Sequence, residues 1–283
     1  MLIAVRRGFT LAEVMLSVSV TVVVAGAIYN LLVTTQRVTR LQGERTLLQA
    51  TVRAGSHVVF EELSELNTVV GGTADQNDIV AFGPTAVTYR AMRGIGFICQ
   101  APSPTTIRIA RTTFTGHRDP QAGRDEVYIF VPGNPDAETR DSWVWARIVS
   151  VATAAPCPGG LGAGIALTVP AGASLGMLEP GTPVRITEVM ELRLYQSDGR
   201  SWLGARSVGA GEAIQPLVGP LADAQGFRLE YLDGTGAATV DRTLIRSIRG
   251  TLRGTTDVGG AGPGAPVEEE LITQVTLRNG LQP

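Results

Sequence analysis

Glu13 is the only carboxylate or cation between Phe9 and Val33, so any chemistry it does there is electrostatic. An acid inside an apolar run needs a cation beside it, or must reach the water at the edge of the run. Glu13 lies only a few residues in, and an ordinary anchor could tolerate it by snorkelling. Elsewhere the reactive residues are few. Gly172-Ala173-Ser174-Leu175-Gly176 fits the G-x-S-x-G elbow of serine hydrolases, but that fold places a histidine after the serine, and His57 and His117 both precede it. The segment reads as a glycine-rich turn. No H-E-x-x-H, C-x-x-C or Walker sequence occurs, and two histidines with two distant cysteines make a poor zinc set. Asp75-Gln76-Asn77-Asp78 offers oxygens to calcium but lacks the glycine and distal glutamate of an EF-hand, so it reads as a turn or strand entry. Neither catalytic residues nor a metal nor a cofactor is expected: the chain reads as a non-enzyme.

The element that carries Glu13 is long enough to matter. About 20 apolar residues at 1.5 Å each cross a bilayer core of roughly 30 Å, and the run from Phe9 to Val33 reaches that length. A cleavable secretory signal has a basic start, an apolar core of about 7 to 15 residues and a small-residue cut site. Arg6, Arg7 and Ala25-Gly26-Ala27 could supply its two ends, but Glu13 would then sit in the shortened core and the run would continue past the cut to Val33. A plain signal anchor needs only length and flanking charge. Here Arg37, Arg40 and Arg45 beyond the run blur the comparison with Arg6 and Arg7, so charge alone specifies orientation weakly.

Arg7-Gly8-Phe9-Thr10-Leu11-Ala12-Glu13-Val14-Met15-Leu16-Ser17 resembles the prepilin signature of type IV pilins and type II secretion pseudopilins. The resemblance implies cleavage by a membrane prepilin peptidase between Gly8 and Phe9, N-methylation of Phe9, and Glu13 as fifth residue of the mature chain. Gly8 offers the protease a site without a side chain, while Arg6 and Arg7 hold the leader in the cytoplasm. The resemblance further implies that Glu13 pairs with the freed amine of Phe9 on a neighbouring subunit, each charge offsetting the cost of burying the other and fixing axial register. The partners it implies are the peptidase, other pilins or pseudopilins met through the N-terminal helix, an inner-membrane assembly platform, and lipid before assembly.

Beyond the apolar run, Val38, Leu41, Leu48, Val52, Val59, Leu63 and Leu66 recur at spacings of three, four and seven, the stripe of an amphipathic helix. Arg37, Arg40, Glu44, Arg45, Arg53, Glu61, Glu62 and Glu65 mostly decorate the other faces. One helix from about Phe9 to Leu66 is expected, with Gly26, Gly43 and Gly55 as weak points, His57 partly buried or solvated, and the pattern ending at Gly71-Gly72. Strands are expected over 78–82, 86–92, 105–110, 126–131, 142–151, 165–169, 183–196, 225–232, 243–252 and 271–277. Glycine, proline and alanine mark residues 155–164 and 254–266 as flexible loops. The fold class is α+β and pilin-like: leader 1–8, membrane-spanning half-helix 9–33, amphipathic half-helix 34–67, and a β-rich head 68–283 on which that helix packs.

Within the head, Pro220 to Asp233 followed by Ile245 to Leu252 resembles the C-terminal pattern of minor pilins and pseudopilins of the J or W type, a strand ending in an acidic turn before an arginine-rich strand. The head is long, and it lacks the C-terminal cysteine pair common in major pilins. Cys99 and Cys157 would be exported with it, where a disulfide or two buried free thiols are both open readings. Every cation is arginine, and the formal charge of −2 becomes −4 without Arg6 and Arg7, leaving 22 basic against 26 acidic residues. The arginines are dispersed, so nothing argues for nucleic acid. Two function classes follow. One is a non-enzymatic minor subunit of a type IV pilus, or alternatively of a type II secretion pseudopilus, starting as a single-pass protein of the inner (cytoplasmic) membrane with its head on the periplasmic side. The other is an anchored or secreted β-domain that binds a ligand or hydrolyses a substrate.

Overall fold

The computed structural model describes residues 8–68, 77–131, 142–171, 175, 178–259 and 266–278. It is α+β: one long apolar N-terminal helix and a large antiparallel sheet. The chain divides into two compact units, Met1–Ala50 with Thr256–Val267, and Thr51–Thr255 with Glu268–Pro283.

Helix α1 runs Leu11–Ser64, two residues shorter at each end than its periodicity suggests, and continues through Gly26, Gly43 and Gly55. As far as Val33 its apolar side chains are exposed: Met15, Leu16, Val23, Tyr29 and Leu31 each present 65% or more of their surface. Its most apolar stretch has a mean hydropathy of 2.1, long and apolar enough to cross a membrane. Of the expected stripe, Val38 is exposed and Leu41 half-buried, while Leu48, Val52, Val59, Leu63 and Leu66 are buried.

In the second unit, residues 51–64 of α1 lie against the sheet. The strands in chain order are β1 Ile79–Gly83, β2 Ala86–Ser103, β3 Thr106–Ala110, β4 Thr115–Gly116, β5 Asp125–Val131, β6 Ser142–Arg147, β7 Ser150–Pro156, β8 Ala163–Thr168, β9 Pro183–Ser197, β10 Arg200–Ser207, β11 Gln215–Leu221, β12 Phe227–Leu232, β13 Ser247–Gly259 and β14 Pro266–Thr276. Their path is β12-β13-β11-β10-β9-β2-β3-β8-β7, with β1 and β4 on β2, β14 on β13, and the β5–β6 hairpin on β9. One edge of β9 pairs with β2; the other is shared, β5 taking Val184 to Glu188 and β10 taking Met190 to Ser197. Phe60 packs where a Cβ on Gly250 would overlap its ring, and Gly55 lies so close to Val218 that any side chain there would collide. Gly55 is thus a close approach of helix to sheet. Ser56 Oγ and Thr273 Oγ1 share a hydrogen bond of 3.0 Å across the same interface. Burying Val52, Val59, Phe60, Leu63 and Leu66 contributes about 1.5 to 3 kcal/mol each. A separate core, centred on Ile107, Ile109, Val127, Ile129, Ile165 and Leu167, lies at the β3–β8 and β5 end of the sheet.

Several expected boundaries differ, each for a visible reason. Residues 142–151 are not one strand: Ile148 N donates to Asp125 and Val149 N to Thr168, so the chain changes partner from β5 to β8 between β6 and β7. β2 continues eleven residues beyond Met92, because Gly94 and Gly96 admit the Phe114 ring and the Ile109 side chain instead of ending the strand. β10 and β11 carry no clean alternation, and Pro216 and Pro220 disguise β11. The loop expected at 254–266 is strand up to Gly259 and again from Pro266, and that at 155–164 is a tight turn around Cys157 to Gly162. Residues 1–7 of the leader, Gly71-Gly72, Asp75-Gln76 and all but Leu175 of the G-x-S-x-G segment lie outside the described residues.

Candidate maturation and assembly site

Gly8 and Phe9 precede the first turn of α1. A Cβ built on Gly8 would meet nothing within 4 Å, so packing does not demand glycine there. Phe9 is 88% exposed. Thr10 is the N-cap: its carbonyl accepts from Val14 N at 3.2 Å and its hydroxyl from Glu13 N at 3.3 Å. Glu13 Oε2 in return accepts from Thr10 N at 2.9 Å and from Thr10 Oγ1 at 3.0 Å. This is a capping box, which satisfies helix-end donors reciprocally. Thr10 and Glu13 stand at the T-x-x-E spacing of such a box, so Glu13 has a partner in its own turn that the expectation of a cation leaves out. A cut between Gly8 and Phe9 would place a free amine one residue before the Thr10 N–H that Glu13 already binds.

Cys99 and Cys157 are joined in a disulfide with Cα atoms 5.8 Å apart, both nearly buried beside Ala110. It ties the far part of β2 to the turn after β7 and closes the small β2-β3-β8-β7 sheet.

An ionic cluster that sequence reasoning missed sits where β5 and β10 meet on β9. Glu188, 2% exposed, accepts from Arg93 Nε at 2.8 Å and from Arg118 Nη2 at 3.3 Å, and also from Arg124 Nε. Arg118 grips Asp125 with both terminal nitrogens, at 2.6 and 2.7 Å. Arg93 also reaches Glu62 of α1 at 3.2 Å. Burial pushes the Glu188 carboxyl up, but hydrogen bonds from Ser207, Arg93 and Arg124 and the Arg93 charge outweigh that and hold it at about 2. Asp78 is different: burial dominates and raises it, although the Arg185 and Arg90 charges and the Asn67 N–H oppose the rise. The signal was a bare scatter of arginines, which only the strand register converts into pairs.

Beside this cluster, residues of α1, β2 and His117 enclose a cleft of about 260 Å³. His57 and His117 are exposed and far apart in role: His57 Nε2 lies 3.8 Å from Glu61, whereas His117 lines the cleft. Asn77 and Asp78 are buried at the entry to β1. Among the described residues no three His, Cys, Asp or Glu side chains are grouped to hold a metal ion. Compared with protein-family models, curated proteins and solved structures, the chain finds no match.

Proposed function

We propose that this chain is a non-enzymatic, membrane-anchored subunit of a filament of the type IV pilus class, the pseudopilus of type II secretion included. It is cut between Gly8 and Phe9 and enters the filament through α1. The observation that carries this reading is the pairing of an exposed apolar half-helix with a single carboxylate in its first turn, a few residues after a glycine that packing does not require. Such a surface is costly in water and must be covered first by lipid and then by other helices. The reading as a minor rather than a major subunit rests on the resemblance of Pro220 to Asp233 and Ile245 to Leu252, which form the β12–β13 hairpin and a turn in which Asp233 Oδ1 accepts from Thr235 N at 2.8 Å and Ala237 N at 3.0 Å. Glu13→Gln tests the reading: the variant should be processed and inserted like wild type but be depleted from sheared filaments. Wild-type levels in the filament fraction would remove the proposed role of the charge.

A further inference from the structure

One row at four-residue spacing along α1 and into the turn that follows it reads Arg37, Leu41, Arg45, Gln49, Arg53, His57, Glu61, Glu65, basic first and acidic last. That order is locally unfavourable. Acidic residues near a helix C-terminus oppose the macrodipole, and a basic residue N-terminal to an acidic one is the poorer orientation along a ridge; the last turn carries no basic residue at all. Glu62 is satisfied by Arg93. Among the described residues, Glu61 has only the His57 ring within ion-pair distance and Glu65 has no cation there. Both carboxylates line the cleft, together with the apolar Val58, Leu66 and Met92. The cleft's own guanidinium groups are spent elsewhere, Arg90 on Glu126 and the Asn77 carbonyl, Arg93 on Glu188 and Glu62. His117 faces the same space. Apolar side chains beside two carboxylates that hold no arginine fit an incoming arginine, whose alkyl stem packs while its head pairs.

We infer that the Glu61–Glu65 end of α1 receives Arg53 of a second copy of this chain, whose helix runs parallel and is offset by two to three turns. The inference rests on the membrane-anchored reading above, since two copies anchored alike share one direction. In register, glutamates would face glutamates; an offset of 8 to 12 residues, about 12 to 18 Å, brings Arg53 beside Glu61 or Glu65. Charge complementarity between the exposed Arg53 and the exposed Glu61 and Glu65 selects a copy as the occupant.

The test uses full-length chains in phosphatidylglycerol–phosphatidylethanolamine vesicles, with donor and acceptor dyes on C-terminal tags and association read by energy transfer. One variant is Arg53→Glu; the other is Glu61→Arg with Glu65→Arg. All three positions are exposed, so the fold persists, which an intact Cys99–Cys157 disulfide and unchanged circular dichroism verify. Each variant alone should associate about fivefold or more weakly than wild type, and mixing the two should restore association, with the wild-type signal falling as salt rises. Unchanged association of either variant, or no restoration in the mixture, overturns the inference. A leader found still attached would sink the function proposed above while leaving this charge-swap result standing.

Discussion

Replacing Glu188 with glutamine tests whether the buried ionic cluster fastens α1 to the sheet. The carboxyl is held at about 2 against an ordinary 4.5, and at about 1.4 kcal/mol per decade of proton affinity the ionised form contributes about 3 kcal/mol to the folded state. The sign follows from the depression: the contribution is complete above the unfolded value near 4.5 and is lost as pH falls through about 2. Glutamine leaves Arg93, Arg118 and Arg124 facing a neutral group, the situation in which breaking a buried pair is expensive. Urea unfolding of the full chain in detergent, followed by tryptophan fluorescence, should therefore place the variant about 3 kcal/mol below wild type at pH 7. The gap should narrow from pH 4.5 and close towards pH 2. A gap that stays constant across this range, or no gap at pH 7, would refute the assignment of the ionised carboxylate as the fastening.

Three further outcomes are expected. Cys99→Ala with Cys157→Ala opens a closed loop of 58 residues, which chain entropy values at about 4 kcal/mol; a loss well under 1 kcal/mol in the same assay would mean that the small sheet is fixed without the bond. Gly250→Val drives a side chain into the Phe60 ring and Leu63→Ala empties a fully buried site, so each should cost about 2 to 4 kcal/mol, and thermal unfolding at wild-type temperature would contradict this packing of helix on sheet. Thr10→Ala removes the cap but keeps the charge, whereas Glu13→Gln keeps a capping side chain and removes the charge. The first should leave filament incorporation nearly intact; equal defects in the two would make helix capping, not charge, the purpose of Glu13.

The long helix was legible because its periodicity changes only at Val33 and its buried stripe from Leu48 to Leu66 has a single phase. The β12 strand was legible for the same reason, and β9 because Val184 to Ile186 and Met190 to Leu194 each alternate, although Thr187 to Val189 interrupt the pattern. What hid the remainder was glycine and proline used for packing: Gly94 and Gly96 inside β2, Gly204 against the Tyr195 ring, Pro216 and Pro220 in β11. Local sequence treats such residues as breaks, while the tertiary neighbour that requires them is far along the chain. The Glu188 cluster was invisible for a related reason. Its members come from positions 62, 93, 118, 124, 125, 188 and 212, and only β9, with β2 on one edge and β5 and β10 on the other, together with α1 packed on the sheet, brings them together. At the N-terminus, Gly8, Phe9 and Glu13 were singled out by type, and Thr10 escaped because its role is a hydrogen bond to its own turn.

Intact mass with N-terminal sequencing of the protein extracted from membranes bears most directly on the proposed route into a filament. The account predicts a chain that begins at N-methylated Phe9. A chain beginning at Met1, or just after Ala27, would contradict it.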